Sequence, residues 1–351
     1  MPRNCGDYTI FRLITCCRKL GIYSMGTRNS SILITIIGLM IFLTVIFLHT
    51  TSHDVTVWLE LYRGSLGHGQ DEMANQVENV QHIQEHRKEH LKQGCAALGY
   101  SQRFVNKKLD RATLRKFSRV LVIPELKVIY CPIPKVASTS WLRLLLTAVN
   151  EDSSQPHKKS KRVFPNLASF PPWDARRILR TYTTFFFVRN PYARILSAYK
   201  NKILSEGESK FRHEVLKWYK LHDPKELKRM NSSKHFTFKQ FVNYYTKSTV
   251  KNVHWEDMIE LCHPCMINYD FIGHLETLKE DSGYLMNLLD IGVSFPEEHR
   301  QHQTNSSQED TLQTFYSQLA GGEYKDLSFS QGLARDALLF GYDTPDSIKR
   351  S

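Results

Sequence analysis

The sequence predicts an α/β fold: a central, mainly parallel sheet flanked by helices and preceded by a single transmembrane helix. Three observations carry this. Residues 32–48 are an uncharged apolar run, and two later segments, 127–146 and 183–203, each pass from a strand-like apolar stretch through a short polar turn into an amphipathic helix pattern. Composition agrees. The 351 residues are 41% hydrophobic, 23% charged and 11% aromatic, enough apolar surface for a real core, which excludes a mainly disordered, collagen-like or disulfide-framework chain. Lys plus Arg number 47 against 35 Asp plus Glu, a formal +12 that points to nucleic acid, phospholipid, nucleotide or acidic polysaccharide as partner.

The run at 32–48, ILITIIGLMIFLTVIFL, lacks the polar face of a core helix, and at about 1.5 Å per residue it nearly crosses a bilayer core. Its 31-residue leader is too long for a signal-peptide n-region, and no small-x-small cleavage site follows. Arg3, Arg12, Arg18, Lys19 and Arg28 against Asp7 precede it, while Asp54 and Glu60 with Arg63 follow, so the N-terminus stays cytosolic. The predicted organisation is a cytosolic tail (1–31), a transmembrane signal anchor (32–48), a luminal stem (49–94) and a luminal domain (95–351) on a membrane of the secretory pathway. Five bases against one acid in the leader leave +8 of the +12 on the luminal side. Nucleic acid is absent from that compartment, so nucleotide cofactors and acidic glycans remain.

Cysteines divide the same way. Cys5, Cys16 and Cys17 fall on the reducing side; Cys95, Cys131, Cys262 and Cys265 are an even set on the oxidising side, giving two disulfides with three pairings open. Cys262-His-Pro-Cys265 has no second cluster to complete a zinc site, so a structural disulfide is the expectation. Asn231-Ser-Ser and Asn305-Ser-Ser are luminal glycosylation sequons. In the stem, Met73, Val77, Val80 and Leu91 recur at helical spacing, but Gln84 and Arg87 interrupt the seam, which predicts a solvated helix.

The core signals begin near Val120. Residues 127–131 end at Pro132, where a strand must stop, and Ser138 or Thr139 is placed to cap a helix carrying Trp141, Leu142, Leu145 and Leu146. A short amphipathic helix is expected between residues 170 and 180. Residues 183–188, Thr-Thr-Phe-Phe-Phe-Val, read as a parallel strand buried on both faces. Asn190 as cap and Pro191 at the first helical position open the next helix. A third strand-like run at 269–273 precedes a helix near 280–289.

The two turns carry the chemistry. A phosphate placed after Lys135 meets an ammonium, hydroxyls and the free N–H groups of a helix start. The nucleotide-loop pattern GxxxxGK[ST] is absent, which removes the main support for an ATPase. Arg189 ends a buried strand and Ser197 lies two helical turns past Pro191, a second set of phosphate ligands. Two such cradles on neighbouring parallel strands suit a nucleotide phosphorylated at both ends of its ribose, and in a secretory lumen that is 3′-phosphoadenylyl sulfate.

Pro134-Lys-Val-Ala-Ser-Thr-Ser-Trp141 and Val188-Arg-Asn-Pro-Tyr-Ala-Arg-Ile-Leu-Ser-Ala-Tyr-Lys200 resemble the 5′-phosphosulfate and 3′-phosphate motifs of Golgi carbohydrate sulfotransferases. Leu261-Cys-His-Pro-Cys265 with residues 269–278 is similar to the branch holding chondroitin and dermatan 4-O-sulfotransferases and the natural-killer-epitope sulfotransferase. The resemblance implies a P-loop-like sulfotransferase fold. Lys135 would contact the phosphosulfate as a catalytic group, and Val136, Ala137, Ser138, Thr139 and Ser140 would hold the 5′-phosphate. Arg189 and Ser197 would hold the 3′-phosphate. Asn190 stands where relatives often carry an acid. The expected reaction is sulfuryl transfer to a glycan hydroxyl, most directly position 4 of GalNAc in chondroitin or dermatan; 3-O of terminal glucuronate and 4-O of terminal GalNAc are alternatives, as is an inert glycan-binding protein. No metal enters the scheme. His254 is the candidate general base because histidine titrates near luminal pH, with Glu256 and His263 as alternatives. Basic clusters at 157–162 and 225–234, read as loops, are candidates for meeting an acidic glycosaminoglycan acceptor.

Overall fold

Four strands make one sheet in the order β1 (Leu121–Ile123), β2 (Val128–Cys131), β3 (Thr183–Val188), β4 (Phe271–His274). The computed structural model describes residues 78–100, 109–204, 210–233, 236–293, 295, 305–319, 327 and 331–344. The expected tail, transmembrane segment and most of the stem lie outside these; among the described residues no helix is long and apolar enough to cross a membrane.

β2, β3 and β4 are parallel, with Cys131 opposite Phe186 and Val188 opposite His274. β1 is antiparallel to β2, so the sheet is mixed. The physical reason is local. Pro124-Glu-Leu126 forms a 3-10 turn closed by Lys127 in the left-handed region (φ 51°), which folds the apolar stretch back on itself as a hairpin. Both faces of the sheet are covered, as the unbroken apolar character of β3 requires. Phe185 and Phe187 pack with Trp141 on one face, and Phe186 packs with Tyr269 and Phe340 on the other. Gly273 in β4 leaves room for the Phe187 ring, into which a Cβ at this position would run.

The covering helices follow the chain: α1 (78–97), α2 (Arg111–Lys116), α3 (Ser138–Ala148), α4 (Pro156–Val163), α5 (Pro172–Thr181) and α6 (Pro191–Lys202). Then come α7 (Lys210–His222), α8 (Pro224–Ser233), α9 (Phe238–Lys247), α10 (Met258–Cys262), α11 (Leu278–Leu288), α12 (Glu309–Tyr316) and α13 (Gln331–Phe340). The two basic clusters read as loops are the helices α4 and α8. Both open on Pro at the first helical position, and α4 presents its lysines on the outer face.

Residue 94, the expected end of the stem, falls inside α1, and the helix is already docked before it. Gln84 is buried; its amide donates to the Ile272 carbonyl (3.1 Å) and accepts from the Ile272 N–H (2.9 Å), satisfying the free edge of β4. Arg87 reaches both carboxylate oxygens of buried Asp281 at 2.8 Å. The two residues read as interrupting a seam are the ones that fasten the helix. Two disulfides form, Cys95–Cys265 and Cys131–Cys262, so Cys262 and Cys265 pair outward and not with each other.

Candidate active site

The carboxyl ends of β2 and β3 open at one edge of the sheet, and the turns that follow them lie side by side: Arg189 donates through Nη1 to the Lys135 carbonyl at 3.3 Å. Residues 134–137 form a tight turn with Lys135 (φ 74°) and Ala137 (φ 62°) both left-handed. Ala137, not Ser138 or Thr139, is the cap residue of α3, because the left-handed turn brings the chain into helix one residue early. No side chain caps this helix, so its first N–H groups face the turn without an intrahelical partner. Successive N–H groups in such a turn form an anion-binding concavity. Val136 is buried beneath it, Ser138 is buried, and Thr139 and Ser140 are half-buried.

Among the described residues the Lys135 ammonium forms no ion pair, and the charged groups acting on it are cations. Burial, then Lys202, Arg189 and Arg194, push it down to about 7. Arg189 is likewise held down, to about 10, mainly by burial. Its Nε and Nη2 both donate to the Ser307 hydroxyl, at 3.1 and 2.8 Å. Ser197 is buried on α6, on the helix that Asn190 caps by accepting from the Tyr192 and Ala193 N–H groups (3.0 and 3.3 Å). The Asn190 N–H donates to Glu276, whose other oxygen accepts from Tyr342.

Arg194, fully buried on α6, joins this turn to a third segment. Nε donates to the Pro134 carbonyl (3.0 Å), Nη1 to the Glu256 carbonyl (2.8 Å) and Nη2 to the Val253 carbonyl (3.3 Å). Buried Asp336 fixes the same segment from behind, accepting from the Met258 and Ile259 N–H groups. His254 is thereby brought to the Lys135 side. Burial, then Lys202, Lys135, Arg194 and His157, lower it to about 3, so it is neutral across luminal pH and does not titrate there as expected from its type. Its Nδ1 is buried without a hydrogen-bond partner, and Phe211 meets the ring edge-on at 5.0 Å. Of the alternatives, the Glu256 carboxylate is turned to Lys251 (3.1 Å), and His263 bonds the Lys116 carbonyl beside Phe117.

Four residues were missed in the sequence. His157 bonds Thr139 Oγ1 at 2.9 Å from α4; Lys202, at the end of α6, acts on Lys135, His157 and His254; Arg194 and Ser307 are the others. Arg194 and Lys202 lie on the helix that follows Arg189, His157 opens the basic cluster at 157–162 read as a candidate acceptor contact, and Ser307 stands out only as part of a sequon. Among the described residues no cluster of His, Cys, Asp or Glu is arranged to hold a metal.

Buried, mutually repelling cations over an uncapped helix start, at the carboxyl edge of parallel strands, are an arrangement suited to a multiply charged anion. The chain belongs to the Sulfotransferase family, whose profile matches residues 118–343, and is a sulfotransferase. It is similar to Carbohydrate sulfotransferase 14 of Danio rerio (34% identical over 251 residues, 68% of this chain and 65% of the relative). Carbohydrate sulfotransferase 12 of Xenopus laevis is 29% identical over 299 residues, 76% of this chain and 70% of the relative. Carbohydrate sulfotransferase 10 of Homo sapiens is 30% identical over 216 residues, 54% of this chain and 59% of the relative. No solved structure matches the chain.

Proposed function

We propose that the protein sulfates a hydroxyl of an acidic glycan, position 4 of GalNAc in chondroitin or dermatan sulfate, with 3′-phosphoadenylyl sulfate as donor, from the luminal side of a Golgi membrane and anchored by residues 32–48. The observation that carries the reading is the pairing of the Lys135 turn with Arg189 at one sheet edge, two cationic cradles side by side, with Lys202, Arg189 and Arg194 all acting on the Lys135 ammonium. When bound, the donor supplies an activated sulfuryl group.

The chain's own residues do the rest. The N–H groups of residues 136–140 and the Ser138 and Thr139 hydroxyls bind the 5′-phosphate side; His157 orients the Thr139 hydroxyl. Arg189, steadied by Ser307, and Ser197 bind the 3′-phosphate side. Lys135 offsets the charge that develops on the leaving oxygen, and it acts from a desolvated position where such an interaction is strongest. His254, neutral and with a free Nδ1, takes the proton of the attacking sugar hydroxyl. Negative charge on the donor facing Lys135 offsets part of the cationic field that depresses His254 and so raises its basicity.

The test is to incubate the full-length protein in detergent with radiolabelled donor and chondroitin, dermatan, heparan, terminal-glucuronate and terminal-GalNAc acceptors, followed by disaccharide analysis. Label at GalNAc O4 is expected. Label confined to another sugar position rejects the acceptor assignment, and no transfer to any glycan rejects the reading.

A further inference from the structure

A cavity of about 520 Å³ opens at the opposite edge of the sheet, where β3 and β4 begin; Tyr182 and Asn268 to Asp270 belong to its wall. β3 has six residues, so at about 3.3 Å per residue the two edges stand roughly 20 Å apart. This cavity is therefore separate from the Lys135 site.

Its charge is one-sided. Lys88 and Lys92 come from α1, and Arg176 and Arg180 from α5. Each pair is spaced i,i+4, so each lies along one face of its helix. The Cys95–Cys265 disulfide lies in the wall between and ties α1 to the segment that leads into β4. Lys88, Arg176 and Arg180 make no ion pair among the described residues, and Arg176 Nε is buried without a partner. Lys92 reaches Glu89 at 3.2 Å, but both side chains are 54% exposed, so that pair neutralises little. Asp270, the one carboxylate in the lining among the described residues, is committed elsewhere: Oδ2 accepts from the Thr184 N–H (2.8 Å) and Thr184 Oγ1 (2.9 Å).

We propose that this cavity is a second, non-catalytic site that binds an anionic stretch of the glycan acceptor, a run of uronate or sulfate-bearing sugars remote from the reacting one. The proposal rests on the glycan reading above. Cations spread along two helix faces, mostly exposed at the mouth, match charge distributed along a chain better than charge concentrated on one phosphate. A helix start with uncapped N–H groups, which serves a compact anion at the Lys135 turn, is not part of this lining. A polymer long enough to reach both edges binds them together, and the second contact is then intramolecular and tightens binding without touching the chemistry. A short oligosaccharide reaches only one.

Two variants of the full-length protein test this, Lys88→Ala/Lys92→Ala and Arg176→Ala/Arg180→Ala, none of them in the catalytic machinery. With polymeric chondroitin as acceptor, KM is expected to rise at least five-fold in each while kcat is unchanged; with a chondroitin tetrasaccharide both constants stay at the wild-type values. Thermal melting checks that the fold is intact. An unchanged polymer KM in both variants overturns the proposal, and so does an equal rise for polymer and tetrasaccharide. So does calorimetry in which inorganic sulfate, at matched ionic strength, binds the cavity as tightly as the polymer does. If the wild type turns over neither acceptor, the glycan reading fails instead. Calorimetric titration of polymer into wild type and variants then decides the cavity alone: equal affinities overturn it, weaker binding by the variants sustains it.

Discussion

Lys135→Met separates what the buried ammonium does for the ligand from what it costs the fold. Lys135 falls from the ordinary 10.5 to about 7. At about 1.36 kcal/mol per pH unit, that is about 5 kcal/mol against the folded state when the group is charged; partial solvent access at the turn reduces the penalty to about 2–3 kcal/mol. Between pH 7 and 10.5 the unfolded chain holds the extra proton, so the wild type gains stability as pH rises through that window, and below pH 7 the penalty is complete. Methionine keeps the Cβ, so the cost of the left-handed backbone is unchanged, and it removes the charge. The ligand-free variant should melt about 4–10 °C higher at pH 7 and lose the pH dependence described. It should also bind adenosine 3′,5′-bisphosphate too weakly to measure by calorimetry. In the wild type, binding that anion at pH 8 should take up about 0.9 proton, read from titrations in buffers of different ionisation enthalpy. A variant that melts lower than the wild type, together with zero proton uptake, would refute the account of the turn as a strained cation site.

Three further outcomes follow from other parts of the site. Ser307→Ala removes the hydroxyl that two Arg189 nitrogens share and should raise the donor KM about five- to tenfold; Asn305→Gln destroys the same glycosylation sequon without touching Arg189 and should leave the donor KM alone, so equal effects defeat the assignment. His254→Ala should lower kcat at least about 100-fold with the donor dissociation constant unchanged. Because His254 sits near 3 in the folded protein and 6.5 when unfolded, it contributes a loss of stability as pH falls from about 6.5 to 3, so the stability difference between wild type and variant should be constant above pH 7 and shift in favour of the variant below it. Gly273→Ala drives a methyl into the Phe187 ring and should destabilise by about 3 kcal/mol in urea melts, with Phe187→Leu restoring much of it; a neutral single variant would mean that the sheet and its cover are not packed as described.

Local features of the fold were legible. The Phe-rich β3, the Asn190 cap with Pro191, and the strand stop at Pro132 each depend on a few neighbouring residues, and each stands as read. Features that depend on closure were not. Gln84 looks solvated in sequence because its partner is the unpaired backbone of Ile272, 188 residues away. Ser307 reads only as the third residue of a sequon; its meaning comes from Arg189, 118 residues earlier. The disulfide pairing was open for the same reason, with bridges spanning 170 and 131 residues. The Ser138 or Thr139 cap failed for a different reason, since propensity favours a hydroxyl at the cap but the turn imposes a left-handed Ala137.

The way Arg194 is satisfied explains how the site keeps its charge. A buried guanidinium needs acceptors, and the cheapest local solution is a carboxylate, which also cancels the charge. Here three bonds go to backbone carbonyls, although Glu256 is one of the residues involved: its carbonyl faces Arg194 while its carboxylate points to Lys251. The hydrogen bonds hold the Lys135 turn against the His254 segment, and the Asp336 and Asp257 carboxylates act on Arg194 without taking any of these three bonds. Lys135 and His254 both register the positive field, each pushed below its ordinary value with Arg194 among the causes. The same electrostatic strain that weakens the protein alone is relieved by a multiply charged anion, so affinity for the anion and the cost to the fold have one origin.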